Sequence, residues 1–335
     1  MARAYLFGGA GDEWTLRENE RAFRRYVLRP RVLVDVEQVS TETRVLGTDV
    51  SMPVLIAPMG FQRILHPDGE LATARAAAAA GTIVCVSTAA TATPAEVAAA
   101  APEAKRWFQL YWCPDRELTR SLVDQAAEAG FEALMLTVDL PVVGYRERER
   151  ATGFDVPDEL VPVFQAWNER RSSTTEKLNW LVDRSLTWRD LEWLRSVCTL
   201  PLIVKGILTA EDALLAVEHG AEAVVVSNHG GRQLDGVAAA IDALPEVVEA
   251  VGERCEVLVD GGVRRGADIL VALALGARAV LVGRPVAWGL TAEGEAGARQ
   301  VLDLLRVELQ NGLALLGCPS PGAVTRAHVA RANTC

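Results

Sequence analysis

Short apolar segments recur along the chain and are separated by longer amphipathic segments. Eight of them are predicted to be strands: residues 54–58, 83–87, 107–111, 133–138, 202–205, 223–228, 257–260 and 279–283. Most are rich in Val, Ile and Leu, a composition typical of strands that are buried on both faces.

The amphipathic segments predict helices between these strands, over residues 70–80, 94–100, 116–129, 210–219, 237–251 and 266–275. Thr93, Asp115 and Thr209 precede three of them as N-cap residues. Strand–helix alternation with eight strands predicts a (β/α)₈ TIM barrel of the α/β class. A doubly wound sheet is the alternative, although it rarely contains eight such regular units.

Two segments fall outside the repeat, and we expect one domain over residues 1–335. Residues 1–52 form a short N-terminal extension, predicted to be helical over 15–26. Residues 140–188 form a long loop after strand four, with a charged, polar middle at 168–177. A loop in that position lies at the C-terminal face of a barrel, where active sites occur.

Composition narrows the function classes. The net charge of −10 disfavours a nucleic-acid or anionic-membrane partner. The six cysteines are scattered and show no C-x-x-C spacing, so we expect no zinc site, no metal and no disulfide framework. No segment approaches the roughly 18 apolar residues that span a bilayer. With no signal peptide evident at the N-terminus, these features predict a reduced, cytoplasmic protein.

In a barrel, the polar residues at the carboxyl ends of the strands line the active site. They are Ser87, Gln109, Tyr111, Thr137, Asp139, Lys205, Ser227, Asn228, His229, Asp260, Gly283 and Arg284. The buried position predicted for Lys205 requires a partner for its ammonium group, and a negatively charged cofactor ring would supply one.

Strands seven and eight lead into glycine-containing turns at 260–264 and 282–285. Barrels commonly hold a phosphate at these loops, through backbone N–H groups and a helix N-terminus. Arg264 and Arg284 could add charge-assisted hydrogen bonds. Ordinary tight turns are the alternative, but two such turns at the expected places favour the phosphate.

The segment 227–235, SNHGGRQLD, is the most informative. His229 follows an apolar strand directly, and histidine is well suited to exchange protons near neutral pH. Arg232 is suited to bind a carboxylate. Arg146 begins a charged run in the long loop, and a solvated position is its alternative. The other histidines, His66, His219 and His328, are predicted to be structural or solvated.

These motifs resemble the FMN-dependent 2-hydroxy acid oxidases and dehydrogenases, the group of glycolate oxidase, lactate oxidase and mandelate dehydrogenase. The matching motifs are SNHGGRQLD at 227–235, DGGVRRGAD at 260–268, LVGRP at 281–285, FQLY at 108–111, LTVD at 136–139 and VKG at 204–206. They span nearly the whole chain, and their order makes the resemblance far more specific than a single glycine-rich loop.

The resemblance implies a role for each matching residue. His229 would be the base, with Asp139 orienting it. Arg232 and Arg146 would bind the substrate carboxylate, and Tyr111 and Tyr5 would hydrogen-bond the substrate. Lys205 would lie near the flavin N1. The remaining flavin, ribityl and phosphate contacts would come from Ser87, Gln109, Thr137, Ser227, Asp260, Gly262, Arg264, Gly283 and Arg284.

Two departures from the family bear on specificity. Gly60 resembles the mandelate dehydrogenase branch, which reacts poorly with oxygen. Ala89 replaces a bulky aromatic residue of glycolate oxidases, so we expect a bulky or aromatic L-2-hydroxy acid, such as mandelate or hydroxymandelate. Oxygen and another electron acceptor both remain open, and the family implies a homotetramer.

Two other functions share part of this residue pattern. One is a flavin-dependent tailoring enzyme or isomerase on the same barrel, and the presence of both Arg146 and Arg232 argues against it. The other is a flavin-free phosphate-binding barrel, which Lys205, Gln109 and Thr137 together disfavour.

Overall fold

Eight parallel strands form a closed barrel in the computed structural model, which describes residues 2–165 and 173–332. The strands are Val54–Met59, Ile83–Ser87, Lys105–Leu110, Ala133–Thr137, Leu202–Ile207, Ala223–Val226, Glu256–Asp260 and Ala279–Val282. Each strand pairs with the next along the chain, and the eighth closes on the first with Val280 opposite Val54. The predicted TIM barrel is confirmed, and an open doubly wound sheet is excluded.

A helix follows each barrel strand. In chain order these helices are Gly69–Ala80, Pro94–Ala100, Arg116–Glu128, Asp190–Val197, Ala210–Glu218, Ala240–Val251, Gly266–Ala274 and Arg284–Leu316. The expected N-caps form, since the side chains of Thr93, Asp115 and Thr209 each accept a hydrogen bond from the first turn. The sequence pattern did not predict the helices Asp190–Val197 and Arg284–Leu316.

The last helix is kinked, which explains why its pattern is hard to read. Glu293 and Gly294 have non-helical backbone angles, and Gly294 has φ +59°. A Cβ at Gly294 would lie 2.8 Å from the His66 ring, which packs against it. Because the kink rotates one half of the helix relative to the other, one continuous apolar stripe does not form.

The barrel lumen is filled by side chains. Trp107 and Met135 are fully buried there with the other inward-facing residues of the strands. A hairpin of strands Thr43–Val45 and Thr48–Val50 contributes its apolar side chains to the same cluster. The core therefore closes the lumen below the strand ends, and a ligand can enter only from the C-terminal face.

The first helices of the N-terminal extension and the long loop after strand four lie at that face, whereas the hairpin 43–50 lies at the opposite end of the barrel. The N-terminal extension contains helices Ala2–Phe7 and Trp14–Arg21, and the Asp235 carboxylate accepts hydrogen bonds from the first N–H groups of the second. The predicted helix over 15–26 was too long, because Tyr26–Leu28 is a strand that pairs with Val329–Arg331. Distant pairing of this kind leaves no local signal.

The long loop after strand four contains helices Glu147–Ala151, Pro162–Gln165 and Thr174–Leu181. The predicted polar stretch 168–177 falls partly outside the described residues, which resume at residue 173. Across the described ranges, no helix is long and apolar enough to cross a membrane.

Candidate active site

A cavity of about 1180 Å³, including its open mouth, lies at the C-terminal end of the barrel. The residues predicted from the sequence line this cavity except Asp139, Ser227 and Asn228. Asp139 and Ser227 lie directly behind His229 and Lys205, and the Asn228 side chain instead forms hydrogen bonds with the side chain of Asn19. The barrel therefore brings together residues from position 5 to position 284 of the chain.

His229 lies in a loop whose backbone is held in an unusual conformation. It has φ +58°, and the two glycines that follow it also have positive φ. This conformation costs a non-glycine residue about 1–2 kcal/mol. Two side chains stabilise the loop: Ser227 Oγ accepts a hydrogen bond from the His229 N–H at 3.1 Å, and Asn228 Oδ1 accepts one from the Gly231 N–H at 3.1 Å. The loop thus presents the imidazole to the cavity.

Asp139 and His229 form a partly buried pair, with Nδ1 of the imidazole 2.9 Å from Oδ1 of the carboxylate. Burial lowers the pKa of His229, and Asp139 opposes that effect. Burial acts to raise the pKa of Asp139, but His229 and then Lys205 more than offset it, so this pKa is lowered. The two lowered pKa values favour an ionised Asp139 beside a neutral imidazole. If Nδ1 donates to Asp139, Nε2 is the ring nitrogen that can take a proton.

Two arginines lie side by side at the same end of the cavity. Arg146 donates from Nε to the Arg232 carbonyl at 3.0 Å, and burial lowers the pKa of Arg146 to about 10. Arg232 donates from Nη1 to the carbonyl oxygens of Tyr5 and Gly8. Their guanidinium groups form a cationic pair suited to a carboxylate.

A carboxylate that the sequence analysis missed lies between these arginines. Glu149 Oε1 is 2.7 Å from Arg232 Nη2, and Oε2 is 3.6 Å from Arg146 Nη1. The only sequence signal was its position three residues after Arg146, in a run of charges that resembled a solvated surface.

The two predicted tyrosines also reach the cavity. The Tyr5 hydroxyl donates to the Gly60 carbonyl at 2.9 Å, and the Arg232 guanidinium lies 4.8 Å from the centre of the Tyr5 ring. Tyr111 is buried, and burial raises its pKa, so its hydroxyl stays protonated and can donate a hydrogen bond.

Lys205 finds its partner within the chain. Its ammonium lies 3.0 Å from Asp260 Oδ2 and 2.9 Å from Ser227 Oγ. The expected partner for the buried ammonium is present, and it is a carboxylate at the end of strand seven rather than a cofactor ring. The pair is buried, and both of its residues line the cavity.

Buried polar atoms without partners test whether a flavin fits. Within the described residues, Gln109 Nε2, Thr137 Oγ1 and Asp260 Oδ1 have none. Ser87 Oγ donates to Gln109 Oε1 at 2.9 Å, which turns the amide nitrogen away from Ser87. Unpaired donors and acceptors on a cavity wall need a polar ligand, and the pyrimidine edge of a flavin carries both.

The other end of the cavity is glycine-rich and cationic. Gly262 has φ +86°, and a Cβ there would lie 2.0 Å from the Asn19 carbonyl oxygen. Arg264 and Arg284 line this end with Gly283. Burial, followed by the neighbouring charges of Arg232 and Arg264, lowers the pKa of Arg284 to about 9. Clustered arginines that repel one another fit an anion such as a phosphate.

Comparisons with known proteins find relatives over nearly the whole chain. The sequence matches the family described as FMN-dependent dehydrogenase over residues 1–331. It is 51% identical to L-lactate oxidase of Nostoc sp., over 95% of this chain and 90% of that protein. It is 49% identical to glycolate oxidase 3 of Oryza sativa subsp. indica, over 98% and 91%.

Solved structures of mandelate oxidase have the same fold. A variant with (S)-mandelic acid superimposes with a TM-score of 0.89 at 42% identity, over 99% of this chain and 94% of that chain. A variant with 2-hydroxy-phenylacetamide gives a TM-score of 0.87 at 43% identity, over 96% and 91%.

Proposed function

Because the chain belongs to the FMN-dependent dehydrogenase family, we propose that it oxidises an L-2-hydroxy acid to the 2-oxo acid with His229 as the base. FMN-dependent oxidation of a 2-hydroxy acid is the activity of the family, and FMN is the cofactor. The observation that carries the assignment of residues is the meeting of the Asp139–His229 pair with two arginines at one end of a cavity.

The residues around the substrate act as follows. Arg146 and Arg232 bind the carboxylate and hold the α-carbon in one orientation. His229 takes a proton at Nε2 as the carbinol is oxidised, and Asp139 stabilises the imidazolium that results. Tyr111 and Tyr5 donate or accept hydrogen bonds at the substrate oxygens.

FMN, when bound, supplies the acceptor for the two electrons that leave the substrate. Its ring would be held by Ser87, Gln109, Thr137, Lys205 and Ser227. Its ribityl chain and phosphate would be held by Asp260, Gly262, Arg264, Gly283 and Arg284. Lys205 would stabilise the negative charge that the ring takes up on reduction, and Asp260 holds its ammonium in position.

The wall beside the arginines favours a bulky, apolar substrate side chain such as that of mandelate or hydroxymandelate. Leu65, Leu140 and Leu178 line the cavity, and Leu178 comes from a helix of the long loop. Ala89 lies beside Gly60 in the cavity wall. Its side chain is a single methyl group, so it leaves space that a large aromatic residue would fill. Apolar side chains there would bury the substrate side chain.

The test is anaerobic reduction of the purified yellow protein by mandelate, lactate and glycolate. We expect mandelate to bleach the flavin with the highest kcat/KM. His229→Ala is expected to keep the colour and lose the bleaching, and bleaching at the wild-type rate would rule out His229 as the base. If none of the three acids reduced the wild-type flavin, the proposed reaction itself would be wrong.

The electron acceptor and the assembly are part of the proposal. The rate at which oxygen reoxidises the reduced protein is compared with the rate for a dye. A rate with oxygen much lower than that with the dye is expected from the resemblance of Gly60 to the mandelate dehydrogenase branch. The homotetramer is tested by sedimentation, and the cytoplasmic location by fractionation.

A further inference from the structure

Arg146 and Arg232, the two proposed ligands of the substrate carboxylate, hold a carboxylate of the chain itself between them, that of Glu149. Glu149 is 8% exposed, and each of its carboxylate oxygens faces one arginine. Two arginines and one glutamate leave the group with a net charge of one positive unit. A substrate with one carboxylate matches that charge.

Glu149 also determines which N–H groups remain for a ligand. Each guanidinium carries five donors. Arg232 uses three of them, on Tyr5 O, Gly8 O and Glu149 Oε1. Arg146 uses Nε on the Arg232 carbonyl and Nη2 on Gln233 Oε1. Five of the ten donors therefore remain, and those on Arg232 Nη2 and Arg146 Nη1 lie next to Glu149.

The backbone at Glu149 connects this group to the N-terminal extension. Its carbonyl oxygen accepts a hydrogen bond from the Phe154 N–H at 2.9 Å, and the Phe154 ring stacks on Tyr5 with centres 5.1 Å apart. The short helix Glu147–Ala151 thus holds Glu149 in place from both its side chain and its backbone. Without the carboxylate, two neighbouring buried cations would repel each other.

We propose that Glu149 is a positioning residue that joins Arg232 to Arg146 and limits the net charge of these three side chains to one positive unit. This proposal rests on the proposed function. The site therefore prefers a 2-hydroxy monocarboxylate to a 2-hydroxy dicarboxylate. Glu149 acts through the arginines and need not touch the substrate.

The test compares Glu149→Gln with Glu147→Gln, which makes the same change of charge at an exposed position of the same helix. The holoenzyme is titrated with acetate and with malonate, and the change of the flavin spectrum gives each Kd. For Glu149→Gln we expect the ratio of malonate to acetate affinity to rise by about tenfold or more, from one added unit of positive charge. Lactate turnover should show a lower kcat with a smaller change in KM, because binding survives but orientation is lost.

Glu149→Asp restores the charge, and we expect its affinity ratio to return to within about threefold of wild type. A merely structural role would weaken both anions equally and lower the FMN content, leaving the ratio unchanged. The proposal is overturned if Glu149→Gln matches Glu147→Gln in the affinity ratio and in kcat. If instead the wild-type flavin is not reduced by lactate or mandelate, the proposed function fails, and the anion titration still tests Glu149.

Discussion

Replacing Asp139 by Asn removes a negative charge 2.9 Å from Nδ1 of His229 and keeps the shape of the side chain. If His229 is the base, this carboxylate stabilises the imidazolium that forms as the proton is taken. A charge-assisted hydrogen bond contributes about 1.5–3 kcal/mol. Two unit charges about 4 Å apart interact by about 4 kcal/mol at an effective dielectric constant of 20. A loss of about 2–4 kcal/mol corresponds to a rate lower by about 30-fold to 10³-fold.

The pH dependence of the same variant has a definite sign. The neutral form of His229 is the base, so kcat/KM rises as the pH increases through its pKa. Asp139 acts to raise that pKa, against the larger effect of burial, which lowers it. Without the carboxylate the pKa falls further, and the acidic limb of the profile moves to lower pH while the plateau drops.

The assay measures the rate of anaerobic flavin reduction by rapid mixing across a range of pH. Because no oxygen is present, slow reoxidation does not affect the measured rate. Asp124→Asn, at an exposed position of the helix Arg116–Glu128, makes the same chemical change away from the cavity and serves as the control. A reduction rate within about threefold of wild type, with an unmoved acidic limb, would refute the reasoning, since 1.36 kcal/mol is already tenfold.

Three further substitutions test other parts of the site. Ala89→Trp should lower kcat/KM for mandelate by about tenfold or more and spare glycolate; equal losses on both acids would show that this residue does not set the width of the pocket. Lys205→Met leaves Asp260 buried without its cation, and thermal and denaturant unfolding should show a loss of about 3–5 kcal/mol; failure of Asp260→Asn to recover stability in the double variant would contradict the pairing. Gly262→Ala places a Cβ 2.0 Å from a backbone oxygen of the N-terminal extension, so the ratio of flavin to protein absorbance should fall. Gly236→Ala has a similar φ of +87° but open space around it, so an equal loss there would point to backbone strain alone.

Much of the barrel follows from local patterns. Apolar segments of strand length, Thr93 and Asp115 as N-caps, and polar residues at strand ends are all properties of short stretches of chain, and the structure agrees with them. Because His229 and Lys205 follow or end apolar strands, the same local patterns also predict that both lie at one end of the barrel.

Other features depend on contacts between segments far apart in sequence. The ion pair of Lys205 with Asp260 joins two strands that are separated by another strand. The last helix kinks where His66 packs on Gly294, and Leu178 reaches the cavity from the helix Thr174–Leu181, which lies far along the chain from the end of strand four.

Glu149 shows most clearly the difference between what the sequence determines and what the tertiary structure decides. In the sequence it belongs to a run of charges that is typical of a solvated helix, and its residue type and spacing suggest nothing more. The sequence by itself determined the strand spacing, the loop positions and the chemistry available at the strand ends, because these depend on neighbouring residues. Which charges are buried and paired was decided only when the barrel closed, because burial and Coulomb energy depend on distances through space that the order of residues does not contain.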